Sequence, residues 1–414
     1  MYALAIDLGT TTLAASLIDL ASGKRLAMTG SMNPQRRFGA DVVSRLDAAV
    51  HSEEKLQEMS LLIRTELWRL ACKLCETTAV PWHDVRQVAI AGNPAMQHIL
   101  LGLPVRSLAF PPYRPVVTAG TICTAHDLGW EGDAAVYVFP MPGGFVGGDT
   151  VAFLLGAQPG DATLCLDMGT NGEMALVAGD TIWATSAAAG PAFEGGNLTC
   201  GMAALPGAIA SVCIKDDRVT LTTIDNTAPL GICGSAAIET IAGLLHHDLV
   251  EAGGRLRDPG EIPSNLATRI IRHNGENAFV LHRDAKQLLL LTQGDIRQIQ
   301  LAKGAIRAGM EVLADKARIH LRALKDVILT GSFGAVLQPE WLKTIGIFDS
   351  GMVHKSRFTP AGALTGVEQA MIAGDGFASA ERLGTQFRVV PLSGTPLFET
   401  LFMQQINFPS YKEQ

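Results

Sequence analysis

Two segments of the chain carry the same short run of residues, Asp7-Leu8-Gly9-Thr10-Thr11 and Asp167-Met168-Gly169-Thr170-Asn171. In each, an apolar stretch ends in Asp-x-Gly-Thr and turns at once into a second apolar stretch. Such a turn presents consecutive backbone N–H groups and hydroxyls around a small concavity, which suits an anion such as phosphate. One copy alone is weak evidence, because an ordinary hairpin turn looks similar; two copies in matching positions argue for a site. If the parts that carry them face each other, both turns reach one phosphate chain, and Asp7 and Asp167 hold a divalent cation. Mg²⁺ keeps several waters and takes few carboxylates, so it fits this sparse set better than Ca²⁺ or Zn²⁺.

Further residues could serve the same chemistry. Gly331-Ser332-Phe333-Gly334 follows the apolar VILT and opens a helix, where a ligand could come within backbone contact. Lys303 and Arg307 stand four residues apart on the preceding helix and share a face, the plain alternative being a solvated surface. Gly231, Gly234 and Ser235 precede a helix beginning near Ala236, either as an anion site or as structure. Glu194, in GPAFEGG, faces a ligand or partner, or belongs to a plain turn. Cys72 and Cys75 alone have metal-like spacing, but they fall inside a predicted helix with no second pair nearby, so they read as core or helix-surface cysteines. His51, His98 and the pair His246-His247 have no ligand spacing around them.

The elements that position these residues repeat. Residues 2–8, 12–19 and 24–31 read as a three-strand meander, 41–77 as helix, 86–91 as a strand before a short helix, and 135–140 as a further strand. TLCLDMGTNGEMALVAGDTIWATS (163–186) repeats the layout of 3–28, and LKDVILTGSFGAVL (324–337) repeats that of 85–100. Asp7 to Gly92 is 85 positions and Asp167 to Gly331 is 164, so the second copy holds about 79 extra residues, placed mostly in 189–290. A long amphipathic helix is expected over 293–316 and helix again over 360–384. The expected organisation is α/β and duplicated: a first lobe over 1–146, a second over 147–385 with an insert at about 189–290, and a tail over 386–414 without strong periodicity.

Composition narrows the function. At 414 residues, with 33 basic against 40 acidic side chains, the chain has no basic field for a polyanion, so nucleic acid is not expected as a partner. No stretch of about 18 uncharged apolar residues suggests a membrane span, and the N-terminus has no signal-peptide pattern. Seven scattered cysteines suit a reducing compartment, and a cytoplasmic location is expected. The 43 glycines exceed an average share without any repeat to absorb them, so they belong to particular turns.

The paired turns and the Gly-rich segment at 331–334 resemble the ASKHA superfamily of acetate and sugar kinases, chaperone ATPases and actin. The resemblance implies two ribonuclease-H-like lobes with a nucleotide cleft between them. More narrowly, the chain is similar to the ATPase domain of reductive activators of corrinoid-dependent enzymes, the RamA-like and corrinoid-protein-activator family. The segments that carry this are AIDLGTTT, NPQRRFGADVVSRLDAA, AGNPAMQHILLG, GGFVGGDT, LDMGTNGE, AAGPAFEGG, GICGS, QGDIRQIQLAKGAI and LTGSFG, which span most of 1–375.

What the resemblance implies is ATP hydrolysis with Mg²⁺, coupled to reduction of a corrinoid protein from cob(II)alamin to cob(I)alamin. Asp7, Gly9, Thr10 and Thr11 match the first phosphate loop. Asp167, Gly169, Thr170 and Asn171 match the second, and Gly331 and Gly334 the adenosine motif. Asp149 stands where related ATPases carry the residue that orients attacking water, a duty that suits a carboxylate; its alternative is a helix N-cap. Relatives usually carry an iron–sulfur module. Here the ATPase begins at residue 2 and no plant-type cysteine run occurs, so no cluster is expected in this chain, and electrons are expected from a separate donor such as a ferredoxin-like protein. A cluster bridging two subunits, as in the 2-hydroxyacyl-CoA dehydratase activators, and a homodimer stay open. The rival readings are a small-molecule kinase of the same superfamily, with Asp149 as base, and a nucleotide-dependent binding protein of chaperone type without redox coupling.

Overall fold

A computed structural model of the chain describes residues 1–331 and 337–410. The expected meander opens it as β1 (Tyr2–Leu8), β2 (Thr12–Asp19) and β3 (Lys24–Met32), each antiparallel to the one before. The single helix expected over 41–77 is two. α1 (Val42–Val50) stops at His51, and Ser52 starts α2 (Glu53–Thr78) by accepting the Lys55 N–H at 3.2 Å. A serine hydroxyl satisfies a donor that a first helical turn leaves unpaired, so a new helix starts where apolar periodicity alone would run on.

There follow β4 (Val85–Gly92), α3 (Pro94–Leu101), the short α4 (Arg106–Ala109), β5 (Thr121–Thr124), β6 (Ala135–Val138) and α5 (Gly148–Ala157). The meander then recurs as β7 (Thr163–Met168), β8 (Gly172–Ala178) and β9 (Thr181–Ala187). The insert holds β10 (Ala208–Lys215), β11 (Arg218–Thr223), β12 (Gly231–Ile232), α6 (Gly234–His246), β13 (Ile270–His273), β14 (Glu276–Arg283) and β15 (Leu288–Thr292). Beyond it lie α7 (Gln293–Ala317), β16 (Asp326–Thr330), α8 (Pro339–Thr344), α9 (Ser350–Val353), β17 (Ser356–Phe358), α10 (Gly362–Ile372), α11 (Ala378–Gln386), β18 (Phe387–Val389) and α12 (Pro396–Gln405). The turn expected after β16 falls on residues 332–336, outside the described residues.

The chain divides into two compact units. The first comprises Met1–Asp161, Val177–Thr185 and Ala361–Val390. Its main sheet has the order β3-β2-β1-β4-β6-β5, with β1 parallel to β4 and β4 parallel to β6. Ala3–Ile6 of the central β1 are buried throughout, as a strand covered on both faces must be. α2 covers β2 and β3, while α10 lies against β1, β4 and α5. Glu368 on α10 ties the sheet down: it accepts the buried Ser16 hydroxyl and takes the Arg25 guanidinium through two contacts of 2.7 Å.

The second unit comprises Ala162–Leu176, Ser186–Pro360 and Pro391–Gln414. Here β16 lies between β7 and β17, parallel to both, and β8 flanks β7, so the order β8-β7-β16 repeats β2-β1-β4. The insert builds two three-stranded sheets, β11-β10-β12 and β13-β14-β15. α7 buries Ile296, Ile299, Ala302 and Ile306, the stripe expected from its periodicity. The segment read as a tail contains α12, which packs along α7 and brings Phe402 to Gly304. No helix among the described residues is long and apolar enough to cross a membrane.

Candidate functional site

In the first unit Asp7 sits one residue before the end of β1, opposite Ala14 of β2 and Ala91 of β4. The chain then turns through Gly9, Thr10 and Thr11. Asn33 closes this turn from below: its N–H donates to the Thr11 carbonyl at 2.9 Å and its Nδ2 to the Gly9 carbonyl at 2.9 Å. Asn93, at the end of β4, donates from Nδ2 to the Thr10 hydroxyl oxygen at 2.8 Å. Thr10, Asn33 and Asn93 are all buried.

Asp149 reaches the same neighbourhood. Gly147 presses on the turn after β4 so closely that a Cβ there would stand 2.4 Å from the Gly92 oxygen and 2.6 Å from the Asn93 Cα. The Gly148 N–H donates to Gln97 Oε1 of α3 at 3.0 Å, fixing the start of α5 to that turn. Asp149 is not the N-cap of α5; Gly147 is, and Asp149 lies in the first helical turn with its Oδ1 accepting the Thr150 N–H at 2.7 Å. Burial pushes its carboxyl up to about 6 against the pull of that hydrogen bond. A carboxylate of that affinity can take a proton near neutral pH.

The second unit repeats the arrangement with other partners. Asp167, near the end of β7, pairs in register with Thr330 of β16. Gly331 follows with φ +115°, and a Cβ there would meet Asp167 Oδ1 at 2.9 Å and the Met168 oxygen at 2.7 Å, so only glycine brings the backbone this near. In the turn itself the Gly169 N–H donates to the Asn171 carbonyl at 3.1 Å, and the Thr170 hydroxyl donates to Glu194 Oε2 at 2.5 Å. Burial raises the Glu194 carboxyl, and the Thr170 bonds oppose it. Glu194 thus touches the second turn directly, which the reading of a plain turn did not give it. The start of α6, with Gly234, packs against the Phe193–Gly195 backbone beside it.

The remaining candidates fall elsewhere. Lys303 is buried; its ammonium donates to the Asn407 carbonyl and lies 5.7 Å from the centroid of the Phe408 ring. Burial, and then the nearby Arg307 charge, push it down to about 7. Arg307 pairs with Glu311 at 2.7 Å and donates to the Ile347 carbonyl at 3.1 Å. Both head groups are taken by protein partners, in place of the ligand contacts or solvated helix face expected for them. Gly334 lies outside the described residues. Cys72 and Cys75 are half-buried on α2, and burial pushes both thiols up. His98 is a satisfied core histidine, bonded to the Pro104 carbonyl and the Val116 N–H.

Sequence reasoning passed over Asn33 and Asn93. The available signal was the Asn-Pro pair at 33–34 and again at 93–94, since Asn before Pro marks a helix start.

Comparison with known proteins bears on the family and the fold. The family described as the RACo middle region matches residues 2–158, and that described as the C-terminal domain of RACo, the ASKHA domain, matches 161–414. The corrinoid activation enzyme RamQ of Eubacterium limosum is 30% identical over 99% of this chain and 70% of its own length. A [Co(II) methylated amine-specific corrinoid protein] reductase of Methanosarcina barkeri is 26% identical over 84% of this chain and 65% of its own. The solved structure of a reductive activator for corrinoid,iron-sulfur protein superposes with a TM-score of 0.87 at 29% identity, covering 99% of this chain and 66% of that one. The chain therefore spans about two thirds of the length of each of these relatives. With both of its halves matched in order and its ASKHA-type α/β fold in place, the chain belongs to the RACo family.

Proposed function

We propose that this chain is an ATP-driven reductive activator of a corrinoid protein, promoting the passage of cob(II)alamin to cob(I)alamin with electrons delivered by a separate donor in the cytoplasm. The names of its relatives support the class of reaction. The observation that carries the nucleotide part is the pair of Asp-x-Gly-Thr turns, each at the end of a buried strand and each held by a polar side chain from elsewhere in the chain, the buried Asn93 on Thr10 and the half-buried Glu194 on Thr170.

The residues present fit MgATP. Gly9, Thr10 and Thr11 would bind phosphate oxygens, as would Gly169, Thr170 and Asn171, and Gly331 would let the adenosine approach the backbone; Gly334, the other glycine of the adenosine motif, lies outside the described residues. Asp7 and Asp167 hold the Mg²⁺. With few carboxylates to offer, this site would suit Mg²⁺, which keeps several waters and takes substrate phosphate oxygens. Asp149 accepts the proton of the attacking water. Bound nucleotide supplies the phosphoryl group whose hydrolysis drives the cycle.

Energetics set the scale. For a one-electron couple ~59 mV corresponds to about 1.4 kcal/mol, so a lift of ~200 mV needs roughly 5 kcal/mol of differential binding between the two corrinoid states. The test is spectroscopic: cob(I)alamin is followed with reductant, corrinoid protein and MgATP each omitted in turn. All three are expected to be required; formation at the same rate without MgATP overturns the proposal.

A further inference from the structure

Two Asn-Pro pairs flank the first turn, and each asparagine does two jobs. Asn33 Oδ1 accepts the Gln35 N–H at 2.9 Å and so caps the helical turn after Pro34, while Nδ2 reaches the Gly9 carbonyl. Asn93 Oδ1 accepts the Met96 N–H at 3.1 Å and caps α3, while Nδ2 reaches the Thr10 hydroxyl. The capping donors fix which end of each amide is oxygen, so the nitrogen ends must face the turn.

We propose that Asn33 and Asn93 are positioning residues that set the Gly9–Thr11 turn for an anionic phosphate group. The inference rests on the nucleotide reading above. A trans peptide is planar, so drawing the Gly9 carbonyl toward Asn33 points the Thr10 N–H the opposite way, out of the turn. The Asn33 N–H holds the Thr11 carbonyl in the same sense. Asn93 donates to the Thr10 oxygen, which leaves the Thr10 hydroxyl proton to be given to something else. One asparagine thus aims a backbone donor and the other a side-chain donor. Behind them Gln35 donates to the Met59 carbonyl, and the buried Arg45 donates to the Gly39 carbonyl at 3.0 Å, which locks the segment carrying Asn33 in place.

Asparagine to aspartate keeps the shape and the cap and reverses only the end that faces the turn. In N93D the Thr10 hydroxyl is drawn to the new carboxylate and lost to a ligand. In N33D the ionised carboxylate repels the Gly9 carbonyl, whereas its protonated form can donate to it. Binding of a non-hydrolysable MgATP analogue is measured by calorimetry between pH 5.5 and 8 for the parent, N33D, N33A and N93D, with circular dichroism as a check on folding. At pH 8 each variant is expected to bind about tenfold more weakly or worse, roughly 1.4 kcal/mol. N33D alone regains affinity as pH falls; a purely structural role would not produce that recovery. Parental affinity in N33D and N93D, or loss in N33D that acidification leaves as deep as in N33A, overturns the proposal. Should N33D fail to fold, N93D carries the decision. Hydrogen exchange over residues 9–14 of the nucleotide-free chain separates this inference from the nucleotide reading. Faster exchange in N33A supports the positioning role even if the parent binds no MgATP, and unchanged exchange refutes it.

Discussion

Replacing Asp149 by asparagine separates the cost of its charge from its shape. The amide keeps an oxygen to accept the Thr150 N–H, 2.7 Å away in the parent, but it cannot ionise. Burial raises the carboxyl from 3.8 to about 6, which disfavours the ionised form by roughly 3 kcal/mol at about 1.36 kcal/mol per unit. The side chain keeps some contact with solvent, so about 1–3 kcal/mol is the working range. Below 3.8 the group is protonated in both folded and unfolded chains and nothing is at stake; between 3.8 and about 6 the unfolded chain loses its proton first, so stability falls as pH rises. Above about 6 the full penalty stands. D149N is expected to melt higher than the parent at pH 8, by about 2–10 °C for a unit of this size, with a smaller gain at pH 4.5. Hydrolysis moves the other way. Without the proton acceptor kcat should drop by about 10²–10⁴, and the parent's kcat should fall as pH drops through about 6. Scanning calorimetry at both pH values, beside steady-state MgATP hydrolysis, makes the test. A D149N chain that hydrolyses ATP at the parental rate and melts like the parent at pH 8 refutes the reasoning on both counts.

Asp7→Ala and Asp167→Ala should each abolish Mg²⁺-dependent hydrolysis and leave the circular dichroism spectrum unchanged; parental turnover in either removes that turn from the site. Gly331→Ala should cost about 1–3 kcal/mol of stability, because it forces a side chain into positive φ, and should also weaken nucleotide binding, both read from a melt with and without MgATP. Lys303 is depressed to about 7 from 10.5, so below about 7 the folded chain carries the whole burden of its buried charge and the parent gains stability as pH rises toward 10. K303M should flatten that rise in thermal midpoint, and a slope equal to the parent's would show that Lys303 does not titrate in this range.

Much of the scaffold was legible because its signals are local. The first meander follows from apolar runs broken by GTT and ASG, the second from its repetition of that layout, and α7 from a stripe at helical spacing. The division between α1 and α2 was not, since apolar periodicity continues across His51-Ser52 and only the serine's bond to Lys55 ends the run. α12 was missed for a different reason: its sequence carries little pattern of its own, and it is held by packing on α7. At the site, the Asp and Gly-Thr residues of both turns were readable from their repetition. Glu194 contacts Thr170 across 24 positions, and Asn93 contacts Thr10 across 83, so their pairing is a product of the fold that no spacing rule reports. Lys303 and Arg307 were read as candidate ligand contacts, with a solvated surface as the alternative, because helical spacing shows which residues share a face but not what covers it.

The way the two units are threaded bears on how the protein is made. Each is assembled from separated stretches, and the first cannot be completed until residues 361–390 exist. On the ribosome, the hydroxyl of Ser16 waits for Glu368 while about 350 residues are added, and α5 waits for α10 while about 205 are, delays on the order of tens of seconds at ordinary elongation rates. α7 likewise waits for α12. The nascent chain therefore carries apolar strands that wait for their last covering helix through much of its synthesis, the interval in which transiently exposed apolar surface is open to aggregation and to chaperones.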